Sequence, residues 1–252
     1  MSMHPIVRSA WPLLALGIAF PARAADGPAR HYRTGERLYV HANPGLSLRK
    51  EPGTEAQKVG MLTYRQAVYV LPDKRAPVPF RFENIPGHWV LVERDGEQGY
   101  AFDGYLSRYP VPEEKEGLKD WADRTFGKPI SDETSKQMTD MGPGSVRVVR
   151  YHGGAQYRSM DAEVVSSDSL VLPSGRLVDG FLVGRGFHVL DCMTVGDLLP
   201  VKTGKSGSGE KMKDNIVEDK GILVACANGF GTNLFIELLE DGSIRITWGS
   251  HV

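Results

Sequence analysis

The chain has 252 residues, with 30 Lys and Arg against 31 Asp and Glu and a formal charge of −1. A balance this close to neutral, with no basic stripe to neutralise a row of phosphates, excludes a nucleic-acid binder. The length suits two modest domains and exceeds what one small domain needs.

The first 24 residues have the layout of a secretory signal. Arg8 gives a positive n-region without acidic residues, and an apolar run extends from Ala10 to Phe20. Pro21 interrupts that run, and Ala22-Arg23-Ala24 places small residues at both recognition positions before Ala25. The run is too short for a bilayer, which needs about 20 residues. No Cys follows it, so a lipoprotein anchor has no attachment point. Cleavage after Ala24 leaves about 228 residues, none of them in a later segment apolar enough to cross a membrane, and a periplasmic or secreted location is expected.

Residues 25–36 are a polar lead-in. The next stretch, Leu38 to Tyr109, alternates short strands with Gly/Pro turns. Tyr39-Val40 and the turn Asn43-Pro44-Gly45 precede Leu46-Ser47-Leu48-Arg49-Lys50-Glu51-Pro52-Gly53. Then come Val59-Gly60-Met61-Leu62, Gln66-Ala67-Val68-Tyr69-Val70 and Trp89-Val90-Leu91-Val92. Asp95-Gly96-Glu97-Gln98-Gly99-Tyr100-Ala101-Phe102 and Tyr105-Leu106 complete the series. Val68 and Val70 alternate with Tyr69 as a half-buried strand requires. Between Leu71 and Gly87 lies a long insert rich in Pro and charge, and loops of that length inside a compact domain are functional or mobile.

The order of these pieces resembles the bacterial SH3 (SH3b) family. The opening strand stands for its "N-V-R-x-x-P" start, the Val59 strand for its "V-I-G-x-L", and the Trp89 strand for its "W-x-x-V". The stretch from Gly96 to Leu106 stands for its closing "G-x-x-G-W-V…Y-L", with Tyr100 where the family usually has Trp. The resemblance covers residues 37–109 and implies a small β barrel that binds peptidoglycan, or a protein that works on it. It places Trp89, Tyr100 and Tyr105 at the aromatic positions. Rings near the loops of such barrels form a shallow groove for peptide or glycan, the alternative being that they fill the barrel core. Pro110-Val111-Pro112 provides a stiff exit that few contacts should cross, which makes the module separable.

Beyond Pro112 the periodicity becomes helical. Leu118, Trp121, Ala122 and Phe126 recur at spacings of three and four, and Gly127 is placed to end the helix. Ser131 is placed to cap a second short helix through about Met138, so residues 110–140 read as a helical connector. From 141 to 252 β signals return. Val146–Tyr151, Ala162–Val165, Ser169–Leu172, Phe181–Val183 and Phe187–Leu190 are short apolar runs, followed by Ile222–Ala225, Asn233–Leu238 and Ser243–Trp248. Asp241-Gly242 between the last two is a hairpin signal. This half reads as an antiparallel sandwich or partly closed barrel of unrecognised family, and the whole chain as mainly β. Residues 202–219 hold four Lys among Gly and Ser and read as a flexible loop.

Cys192 and Cys226 are the chain's two cysteines. In an oxidising compartment an even count favours a disulfide, which would close a loop of about 34 residues and stabilise the fold by roughly 3–4 kcal/mol. Two buried thiols are the alternative. Asp191-Cys192 resembles the nucleophile motif of the NlpC/P60 peptidases, and Gly196-Asp197-Leu198-Leu199 resembles a later turn of that family. However, the two pieces lie four residues apart instead of a few dozen, and no His occurs between Cys192 and His251 to activate a thiolate. The seven His residues (His4, His31, His41, His88, His152, His188 and His251) show no zinc-ligand spacing. In Gly204-Lys205-Ser206-Gly207-Ser208-Gly209, Glu210 stands where a phosphate loop needs Lys. Neither a metal, a cofactor nor a catalytic residue is expected. The sequence supports an exported cell-envelope binding protein with an SH3b module on peptidoglycan or an envelope protein. The alternatives are an exported inhibitor or immunity-type protein that blocks a wall-degrading enzyme, and a wall hydrolase whose active site is not evident.

Overall fold

The computed structural model describes residues 32–82, 85–139, 142–163, 165–187, 221–225 and 233–251. The signal-like segment 1–24, Cys192 and Cys226, the run from His188 to Leu190, the loop 202–219 and the peptidase-like and phosphate-loop-like motifs lie outside them. The described residues form two antiparallel sheets with few helices, so the protein is mainly β as its alternating runs imply.

The first sheet holds β1 (Arg37–Val40), β2 (Gly45–Arg49), β3 (Lys58–Thr63), β4 (Ala67–Val70), β5 (Val78–Phe82), β6 (Ile85–Arg94), β7 (Glu97–Phe102) and β8 (Leu106–Ser107). Its path is β3-β2-β7-β6-β4-β1-β8, and β5 pairs with the start of β6. Alternation does the sorting. Leu38 and Val40 of β1, and Val68 and Val70 of β4, turn inward while Tyr69 between them is exposed. The Pro-rich insert is not simply a loop. Its second half is β5, in register with β6 from Val78↔Trp89 to Phe82↔Ile85. Pro79 is tolerated there because β5 pairs on one side only, as an edge strand.

The second sheet runs β13-β14-β15-β12-β11-β10-β9. Its strands are β9 (Ser131–Thr139), β10 (Gly142–Arg150), β11 (Gln156–Ala162), β12 (Val165–Leu172), β13 (Gly221–Ala225), β14 (Asn233–Leu238) and β15 (Ile244–His251). Gly242, at φ +80°, makes the β14–β15 turn that Asp241-Gly242 signals.

Three local expectations are corrected. Ser131–Met138 is strand β9, because nine residues find partners on β10 from Arg150↔Ser131 to Gly142↔Thr139. Phe181–Val183 lies inside helix α2 (Leu177–Gly186), which is buried all round from Val178 to Gly184. Ala162–Val165 straddles the β11–β12 turn, with Ala162 ending one strand and Val165 starting the next. The helix expected at Leu118 is present as α1 (Leu118–Phe126), with Leu118, Trp121 and Ala122 buried.

Helix α2 packs on β13, β14 and β15 and touches β8 of the first sheet. Contacts therefore cross the Pro110–Pro112 exit, contrary to the expectation of a nearly contact-free boundary. Arg176, just before α2, reaches Asp103 at 2.8 Å and also donates to the Leu106 carbonyl at 2.9 Å. His41, fully inside, has Nε2 2.9 Å from the Tyr109 carbonyl and Nδ1 3.2 Å from the Leu182 carbonyl. Tyr109 donates its hydroxyl to the Ser174 carbonyl. One continuous apolar cluster runs from Leu38 through Trp121 to Ile246.

Candidate binding groove

The first unit carries a groove of about 300 Å³ whose apolar wall is aromatic. Strand β5 supplies Phe80 and Phe82, β6 supplies Trp89, β7 ends in Phe102, and the following turn places Tyr105. Phe80 meets Phe102 edge to face at 5.2 Å, and Tyr105 meets Phe102 and Phe82 the same way at 6.1 Å and 6.3 Å, while Phe80 lies tilted against Trp89 at 5.5 Å. Such geometries place a ring's positive edge against another's negative face and hold the wall rigid. Phe82 is 47% exposed and is the ring most open to a ligand.

The groove's polar lining comes from β2 and the loops flanking it, with Asn43, Ser47, Arg49 and Thr54. Arg49 is held in place by donating to the Ala56 carbonyl at 2.6 Å. Arg185, from α2 of the second unit, also lines the groove. No Asp or Glu does. Two guanidiniums without a carboxylate make the groove cationic, and an aromatic wall beside them suits a ligand with an apolar part and an anionic part.

The three rings singled out by sequence divide. Trp89 and Tyr105 line the groove, although each is only 7% exposed. Tyr100 is apart from it. Its hydroxyl donates to Asp73 at 2.8 Å and Arg75 lies 5.3 Å over its ring, so Tyr100 ties down the start of the insert. Burial, reinforced by the Asp73 carboxylate, pushes the Tyr100 phenol up to about 12. Phe80, Phe82, Arg49 and Arg185 escape the sequence reading. Phe80 and Phe82 sit in a Pro-rich insert that resembles a loop, and nothing local marks Arg185 as close to a strand more than a hundred residues away. A signal for β5 does exist, since Val78, Phe80 and Phe82 alternate with Pro79 and Arg81.

A second, smaller cavity of about 60 Å³ lies behind Trp89, next to Tyr32, His88 and Asp103. Among the described residues no group of His, Cys, Asp and Glu is arranged to hold a metal ion, and no helix is long and apolar enough to cross a membrane.

Residues 37–107 match the family model of the bacterial SH3 domain, so the first unit is a member of that family. The rest of the chain matches no family model. No curated protein and no solved structure matches the chain.

Proposed function

We propose that the protein is an exported component of the bacterial cell envelope that binds peptidoglycan through the aromatic groove of its SH3 domain, without catalysis. The groove carries this reading. It joins exposed apolar ring surface at Phe82 to polar donors at Ser47, Arg49 and Arg185, the combination that sugar-linked peptides require. Bacterial SH3 domains are typical of extracellular and envelope proteins, which supports the location together with the signal-like first 24 residues. The second sheet, buttressed against the SH3 domain by α2, acts as a rigid support.

Sedimentation of the purified mature protein with isolated peptidoglycan tests the proposal. The wild type should co-sediment saturably. Phe82→Ala should weaken retention by roughly 1–2 kcal/mol, the scale of a partly exposed ring lost from a contact. Its melting temperature should stay close to wild type, because nearly half the ring already faces solvent. A folded wild type that stays in the supernatant at every peptidoglycan load would overturn the reading.

A further inference from the structure

The groove is not built by the SH3 domain alone. Arg185 belongs to α2, and α2 is fixed by contacts that do not involve the groove. Its N-terminal end is pinned by Arg176 on Asp103 and Leu106, and its middle by the Leu182 carbonyl against His41. Its last turn abuts the linker, where a Cβ at Gly186 would lie 2.5 Å from Pro112 Cδ. The helix thus delivers Arg185 to the rim at a defined position. Arg49, its counterpart in the SH3 domain, spends a donor on the Ala56 carbonyl. Among the described residues no hydrogen bond or ion pair is made by the Arg185 side chain. An arginine lodged half-buried beside an aromatic wall, with no acidic neighbour lining the same groove, is a receptor for an anion.

We infer that Arg185 completes a composite site whose ligand is a peptide bearing a free carboxylate, with its apolar portion against Phe82 and Trp89 and its carboxylate on Arg185. This rests on the peptidoglycan reading and narrows it to the carboxylates of the stem peptides rather than the glycan strand. An uncharged sugar would give the guanidinium nothing to neutralise and would leave it desolvated beside the rings. Arginine is suited to the task because its fork meets both carboxylate oxygens in one plane.

The test uses the full mature chain and two forms of the same isolated peptidoglycan, one untreated and one with its carboxyls converted to amides by carbodiimide and ammonia. On untreated peptidoglycan Arg185→Gln should bind about tenfold more weakly than wild type, the scale of one charge-assisted hydrogen-bonded contact. Arg185→Lys should recover part of that loss. On the amidated form wild type and Arg185→Gln should bind alike, because the group Arg185 recognises is gone. Equal binding of wild type and Arg185→Gln on untreated material, with Phe82→Ala still impaired, would overturn the role of Arg185 while leaving the groove as the binding site. Wild type binding that is indifferent to amidation would also overturn it. Failure of wild type to bind either form would remove the underlying reading itself. If Arg185→Gln proves unfolded by circular dichroism, Arg185→Lys and the amidation comparison with wild type still decide the matter.

Discussion

Arg176 is the residue on which the two halves of the molecule meet. Its guanidinium lies 2.8 Å from the Asp103 carboxylate and 3.3 Å from that of Asp179, both essentially without solvent exposure, and Tyr32 covers it at 5.0 Å. Asp103 is used twice, since its other oxygen accepts the His88 backbone N–H at 2.6 Å. Asp179 is also anchored, accepting the Arg176 backbone N–H at 2.8 Å. Charges this deep stabilise only while their partners remain, because an orphaned carboxylate has no water to turn to. Arg176→Met keeps much of the side-chain volume and strands both carboxylates. It should destabilise the protein by about 3 kcal/mol or more, read as a lower urea midpoint with an unchanged slope. A loss under about 1 kcal/mol would show that the carboxylates find water or protonate at little cost. None of this was visible in the sequence, where Asp103 is an ordinary polar residue more than 70 positions from Arg176 and Asp179.

Among the elements, those whose patterns encode burial on one side only were legible, and those shaped by distant neighbours were not. Strands β1 and β4 announce themselves by alternation, and α1 by its spacing of three and four, because each has one wetter face and one dry face. Strand β9 has almost no dry face. Asp132 through Met138 are all exposed, and the strand exists through its pairing with β10. A lone capping residue at Ser131 could not reveal that. Helix α2 has the opposite problem. Val178 through Gly184 are buried without interruption, and a short continuous apolar run does not distinguish helix from strand. What lets α2 lie so close to the sheet is Gly180. A Cβ there would come within 2.7 Å of Ile244 Cγ2 and 2.8 Å of Ile236 Cγ2, both in buried strand residues. Gly180→Ala gains helix propensity, about 1 kcal/mol, yet forces the helix off its sheet. The steric term should win, giving a net loss of about 1–2 kcal/mol in thermal or urea unfolding. A net gain would mean that the α2–sheet contact is soft enough to absorb a methyl group.

Taken as a whole, the molecule joins an SH3 domain to a second, seven-stranded sheet through an interface that contains a titratable group, and this makes its cohesion sensitive to acid. His41 sits in the SH3 domain with both ring nitrogens against carbonyls, those of Tyr109 in the linker and Leu182 in α2. Burial dominates its ionisation. It lowers the imidazole from its usual 6.5 to about 4, with nearby Arg185 pushing the same way. The two carbonyls and Asp179 oppose that shift without cancelling it. The folded protein therefore holds His41 neutral at pH values where the unfolded chain binds a proton. Above pH 6.5 both states are neutral and the effect is absent. As the pH falls below 6.5 the unfolded state takes up a proton that the folded state refuses, so stability drops, until the folded state also protonates near pH 4. By pH 5 the loss attributable to this one residue should reach about 2 kcal/mol. Most carboxylates are still ionised there, so the window isolates the histidine. Urea midpoints measured at pH 7.5 and pH 5 on wild type and His41→Gln check it. Glutamine can still donate to the Tyr109 carbonyl and has no charge to gain, so its stability should change less across this window, by about the histidine's 2 kcal/mol. Equal pH dependence in the two proteins would show that His41 ionises freely in the folded state and that the contact between the domains admits water.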